Sequence, residues 1–114
     1  MKIIENIAVI TKVSEPICDA ETILDTILSL KYETGASAFA FDKACFDEAF
    51  FRLSSGIAGE VIQKFVNYSI RAAVFGDFSK YTSKPLRDFI YESNREYHFG
   101  FLPTEAEAVE WLKR

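Results

Sequence analysis

An α/β fold, with one mixed and largely parallel sheet of four to five strands and about four helices, is predicted by three features of the sequence. The first is a set of short apolar runs bounded by turn residues, Ser37 to Asp42 (SAFAFD) and Ile70 to Gly76 (IRAAVFG). Runs that do not alternate with polar positions read as strands covered on both faces. The second is the presence of amphipathic helical patterns between those runs. The third is their order, β-β-α-β-α-β-α-β-α. A chain of 114 residues is expected to form a single domain, 1–114, able to bury a core without a metal or a disulfide.

Lys2 to Val13 is rich in Ile and Val with a polar break at Glu5-Asn6, and reads as two short strands joined tightly or as one long bent strand. After Pro16, Asp19 is placed to cap a helix and Glu21 lies in its first turn, where the helix dipole favours an acid. Ala20, Ile23, Leu24, Ile27 and Leu28 share one face of that helix, and Gly35 stops it. Residues 43–53, with Phe46, Phe50, Phe51 and Leu53, fit either a helical turn or a loop wrapped over the sheet. The helix after Gly56 carries Ile57, Ala58, Val61, Ile62, Phe65 and Val66 as one broad stripe. A further helix starts at Ser83 with Pro85 in its first turn, where the missing N–H costs nothing. Its inward positions are Leu86, Phe89, Ile90 and Ser93. Tyr97 to Leu102 alternates like a strand. Thr104 and Glu107 then form a T-x-x-E capping box for a last helix docked by Ala108, Val109 and Leu112, with Trp111 beside them.

Charge and composition exclude several functions. The net charge is −4, and the 13 Lys and Arg residues are scattered. No positive field is present to attract nucleic acid. No apolar run approaches a membrane span, and MKIIENIAVI begins directly in strand-like sequence, so a cytoplasmic protein without membrane association is expected. Cys18 and Cys45 belong to no ligand-spaced cluster and read as reduced thiols, so neither metal nor cofactor is expected. The one histidine, His98, lies within a predicted strand between aromatics, and no G-x-S-x-G is present, which argues against a hydrolytic triad.

Longer phrases carry a resemblance. YETG (Tyr32–Gly35), FFRLSSGIAGEVIQKFVNY (Phe50–Tyr68), VFGDFSKYTSK (Val74–Lys84) and LRDFIYESN (Leu86–Asn94) resemble an uncharacterised bacterial domain-of-unknown-function family, DUF4180. That resemblance implies no activity. The order of elements is also similar to that of STAS domains, the fold of anti-sigma-factor antagonists. There a strand ends in an acid, an aromatic follows, and a Ser-Ser-Gly-type turn opens a helix whose second serine is phosphorylated. Asp42, Phe51 and Ser54-Ser55-Gly56 fall in that order, and Gly59 supplies a further small residue. Leu53 stands where that family places an acid before the serines. The resemblance implies a regulatory, non-enzymatic domain with Ser55 as phosphoacceptor and Ser54 as its neighbour. On the residues alone, Ser54 or Ser55 is equally an ordinary helix N-cap.

A second candidate site rests on topology. Asp42 and Asp77 end predicted parallel strands, where open α/β sheets collect ligands. Ser79, Ser83 and Arg87 follow closely, and with Gly56 and Gly59 at the neighbouring helix start they make a candidate rim for a small ligand or anion. Asp77 also fits a turn cap, and neither a Walker motif nor G-x-G-x-x-G supports a phosphate cradle. Eleven Phe and five Tyr exceed what a small core needs, so Phe46, Phe50, Tyr81, Tyr91 or Trp111 mark either internal packing or a contact patch. The expectation is therefore a protein partner or self-association as a dimer, with ligand binding at the rim as the alternative.

Overall fold

The computed structural model describes residues 1–52 and 56–114, with Ile57 and Ala58 described by backbone alone; Leu53, Ser54 and Ser55 lie outside the described residues. The first two strands, β1 (Lys2–Ile4) and β2 (Ile7–Ile10), form an antiparallel hairpin. Glu5 and Asn6 join them with φ of 46° and 72°, the positive values that a two-residue turn requires to match strand twist. Asn6 also ties the hairpin to the next strand, since its carbonyl accepts from Ser37 N at 2.9 Å.

Helix α1 (Ala20–Thr34) starts where Asp19 accepts from Thr22 N and ends at Gly35. Strand β3 (Ala38–Asp42) follows, then two 3-10 turns at Lys43–Cys45 and Glu48–Phe51, helix α2 (Ile57–Tyr68) and strand β4 (Ala72–Phe75). Helix α3 (Lys84–Arg95), strand β5 (Phe99–Leu102) and helix α4 (Glu105–Lys113) complete the chain. The sheet order is β1-β2-β3-β4-β5, with every pair after the first parallel. Sequential order with right-handed crossovers places α1, α2 and α3 on one face.

The two faces hold separate cores. On one, Ala8, Ile10, Phe39, Phe41, Ala72, Val74, Phe99 and Phe101 of the strands pack with Ile23, Ile27, Val61 and Phe65 of the helices. On the other, α4 alone contributes Ala108, Val109, Trp111 and Leu112 against Ile7, Val9, Ala38, Ala40, Ala73 and Phe75. The small strand residues let α4 lie close: a Cβ on Gly100 would stand 2.9 Å from the Trp111 ring.

Two positions assigned inward by periodicity point outward. Leu28 is 43% exposed and Val66 47%, because each helix covers the sheet with a narrower stripe than its pattern offered. Conversely Phe46, Phe50 and Trp111 are buried, which removes them from any contact patch. Tyr91 stays exposed, as do Tyr32, Tyr68 and Tyr97.

Side chains rather than further strands finish the sheet at β5. Ser93 Oγ donates to Phe99 O, while the Asn94 side-chain amide donates to Phe101 O and accepts from Phe101 N. Helix α3 thereby satisfies an edge that would otherwise recruit another strand. Arg71, just before β4 and only 8% exposed, holds the end of α4. Its Nη1 donates to Leu112 O at 2.8 Å and its Nη2 to Trp111 O at 3.4 Å. Its guanidinium also lies 3.8 Å from the Tyr97 ring centroid. A cation at a helix C-terminus satisfies orphan carbonyls and complements the dipole.

Candidate functional site

The C-terminal ends of β3 and β4 carry a group of interacting polar side chains. Register sets it up, since Asp42 pairs with Phe75 and the two exit turns therefore lie side by side. Lys43 leaves β3 and crosses the end of β4. Gly76 permits this: its φ is +153°, and a Cβ there would lie 2.8 Å from Lys43 Cβ. The Lys43 ammonium then sits over two rings, 5.4 Å from the centroid of Phe51 and 5.1 Å from that of Tyr81.

These rings begin an aromatic chain that runs from the rim into the core. Phe51 lies 5.3 Å from Tyr81 and 5.4 Å from Phe50, and Phe50 contacts Phe99 at 6.0 Å. Above them Glu48 gathers three donors. Lys80 Nζ donates to Glu48 Oε1 at 2.8 Å, Lys43 Nζ approaches the same oxygen at 3.7 Å, and Tyr81 OH donates to Oε2 at 2.9 Å. Hydrogen bonding from Lys80 and Tyr81 holds the Glu48 carboxyl below its ordinary pKa. Burial, reinforced by the hydrogen bond to Glu48, pushes the Tyr81 phenol up to about 12. An open groove of about 880 Å³ extends from this cluster, lined by Glu48, Phe51, Lys80, Tyr81, Ser83 and Leu86 among others.

The residues proposed from sequence are placed as follows. Asp42 accepts from Ala44 N at 2.8 Å and Asp77 from Ser79 N at 2.9 Å, so each carboxylate caps its own turn. Hydrogen bonding from Ser79 lowers the Asp77 pKa, with a smaller contribution from Lys43. Neither carboxylate is among the groove's lining residues. Ser83 is the N-cap of α3 without a side-chain capping bond, and it lines the groove. Ser79 and Arg87 line a smaller neighbouring cleft with Phe78, Tyr81, Thr82 and Ile90. Gly56 is the left-handed N-cap of α2, and Gly59 lies in that helix's first turn. Among the described residues, a Cβ added at either would meet nothing within 4 Å.

Lys43, Glu48 and Lys80 were not among the sequence candidates. Glu48 and Lys80 are 32 positions apart, and no local spacing connects them; only the β3–β4 register does. His98 sits at the opposite end of the sheet, where its Nδ1–H donates to Ile70 O at 3.0 Å. Among the described residues no group of His, Cys, Asp and Glu has metal-binding geometry, and no helix is long and apolar enough to cross a membrane.

No curated protein and no solved structure matches the chain. Residues 4–112, nearly the whole sequence, match the family described as Domain of unknown function (DUF4180), and the chain belongs to that family.

Proposed function

We propose that this chain is a regulatory or protein-interaction domain, without catalysis of its own, whose working surface is the rim above β3 and β4. One observation carries the reading. Glu48, Lys80 and Tyr81 are spent on one another, with Glu48 accepting from both, and Asp42 and Asp77 each cap their own turn. A proton-transfer centre needs a group free to exchange protons near the working pH. A carboxylate held low and a phenol held high are a patterned surface instead. The single histidine, at the far end of the sheet, has no part in it.

The finer form of this reading places a phosphate on Ser55, with Ser54 beside it. It rests on the likeness to STAS domains in the order Asp42, Phe51, Ser54-Ser55-Gly56. The space that the described residues leave around Gly56 and Gly59 supports it, as does the general affinity of helix N-termini for anions. A second reading is a protein that binds a small ligand or anion at the strand-end rim; the groove beside it, lined by Ser83 but not by Asp42 or Asp77, offers the space.

Self-association is the form of the proposal that tests on the chain alone. Light scattering after size-exclusion chromatography compares the wild type with Ser55→Asp and Lys80→Glu. The expected result is a wild-type mass above the monomer's that both substitutions lower. A monomer unmoved by either contradicts this form.

A further inference from the structure

We infer that the Glu48 carboxylate is an internal placeholder in an oxyanion seat formed by Lys43, Lys80 and Tyr81, and that an acidic side chain of a protein partner takes that seat. The inference rests on the rim being a binding surface and names the chemistry it recognises.

Three observations carry it. First, the seat is built before anything enters it. Lys43 is held with its stem across Gly76 and its ammonium over the rings of Phe51 and Tyr81, and its side chain is only 19% exposed. Tyr81 is anchored in the aromatic chain by Phe51 and Phe78. Donors already in position lose little freedom when an anion arrives.

Second, the present occupant is easily released. Glu48 belongs to a four-residue 3-10 turn, and its side chain is 54% exposed, so it rotates into water without uncovering the core. Exposed ion pairs of this kind are weak, since solvent screening and side-chain entropy offset most of the attraction. Two ammonium groups converge on one carboxylate oxygen, so Glu48 alone does not balance them, and the Asp77 carboxylate offsets part of the Lys43 charge.

Third, the groove is larger than an isolated anion needs. It continues from the seat along Phe51, Pro85 and Leu86, an apolar floor beside a charged end. That combination suits an acidic residue followed by an aliphatic one on a polypeptide, rather than a free inorganic anion. The groove is lined by the cations Arg52 and Lys80 on a chain of net charge −4, which favours an acidic segment there.

The test titrates the full ¹⁵N-labelled chain with N-acetyl-Glu-Leu-Leu-amide, its Gln counterpart and inorganic phosphate, following backbone amide shifts in wild type, Glu48→Gln and Lys80→Met. The glutamyl peptide is expected to move the amides of Lys80, Tyr81, Thr82 and Ser83. It is expected to bind Glu48→Gln about two- to fivefold more tightly than wild type, the range that exposed ion pairs carry, and Lys80→Met more weakly. Equal affinity for wild type and Glu48→Gln overturns the placeholder. Equal response to phosphate overturns the polypeptide as its source. A peptide that moves the rim amides equally in all three proteins, with Glu and Gln alike, sinks the seat but leaves the rim as a binding surface. Shifts confined to another part of the molecule overturn the rim reading itself.

Discussion

Gly100 shows how narrowly single atoms are placed in this fold. A methyl group there would meet the Trp111 ring at 2.9, 3.0 and 3.1 Å, and Trp111 is itself held by its indole N–H on Asn94 O at 3.0 Å. Gly100→Ala is therefore expected to destabilise the chain by about 1–3 kcal/mol, the usual cost of overpacking, measured as a lowered midpoint in urea. The two cysteines differ in the same local way. Cys45 is buried, donates to Ile10 O, and has its thiol pKa pushed up to about 11, chiefly by burial and next by the charge of Asp42. Cys18 is exposed. A thiol reagent at neutral pH should label one cysteine in the native chain and both in denaturant; two labelled at once in the native state would contradict the burial of Cys45. At this scale the sequence was informative where chemistry is local. Asp19 and Thr104 were legible as caps because each acts within three residues of itself, accepting from Thr22 N and Glu107 N. Glu48, Lys43 and Lys80 were not, because three separate elements bring them together.

Elements were the most legible scale. Apolar runs at 37–42 and 70–76, and the intervening amphipathic patterns, specify strands and helices by period alone. The polar break at Glu5-Asn6 left a hairpin and a bent strand open, and positive φ at both residues settles it as a hairpin. What period does not contain is the polar finish of an element. Arg71 lies inside an apolar run, yet it serves α4, some 40 positions later, through carbonyls. Arg71→Leu keeps much of the bulk and removes the side-chain donor of Leu112 O, while Trp111 O keeps the Arg114 N–H at 3.4 Å. It is expected to cost about 1–3 kcal/mol for the unsatisfied group and to speed hydrogen exchange in α4 before the rest of the chain. Uniform acceleration everywhere would contradict a role specific to that helix. Asn94→Leu similarly strips Phe101 N and O of their partner, and exposes a sheet edge. Its expected signature is concentration-dependent aggregation on top of lost stability.

For the molecule as a whole, the sheet divides the labour. Its three-helix face and its α4 face hold the apolar core, His98 and Arg71 sit at one end, and the charged rim lies at the other. The rim and the caps also set the pH response. Asp19, Glu48 and Asp77 have carboxyl groups held below their ordinary values by hydrogen bonds, from Thr22, from Lys80 and Tyr81, and from Ser79 respectively. A carboxyl with a lowered folded pKa stabilises above its unfolded value, about 4. That contribution is lost as pH falls through the folded values. The urea midpoint should therefore hold between pH 7 and 5 and fall as pH drops below about 4. The central claim, that the rim is a pattern of paired charge rather than a proton-transfer centre, is tested most directly by one titration. ¹³C-tyrosine NMR of the full chain follows the Tyr81 phenol with pH, wild type beside Glu48→Gln. Tyr81 should remain protonated until about 12 in wild type and ionise at lower pH once Glu48 is neutral. A Tyr81 that ionises near the ordinary tyrosine value of about 10, unchanged by Glu48→Gln, would contradict it.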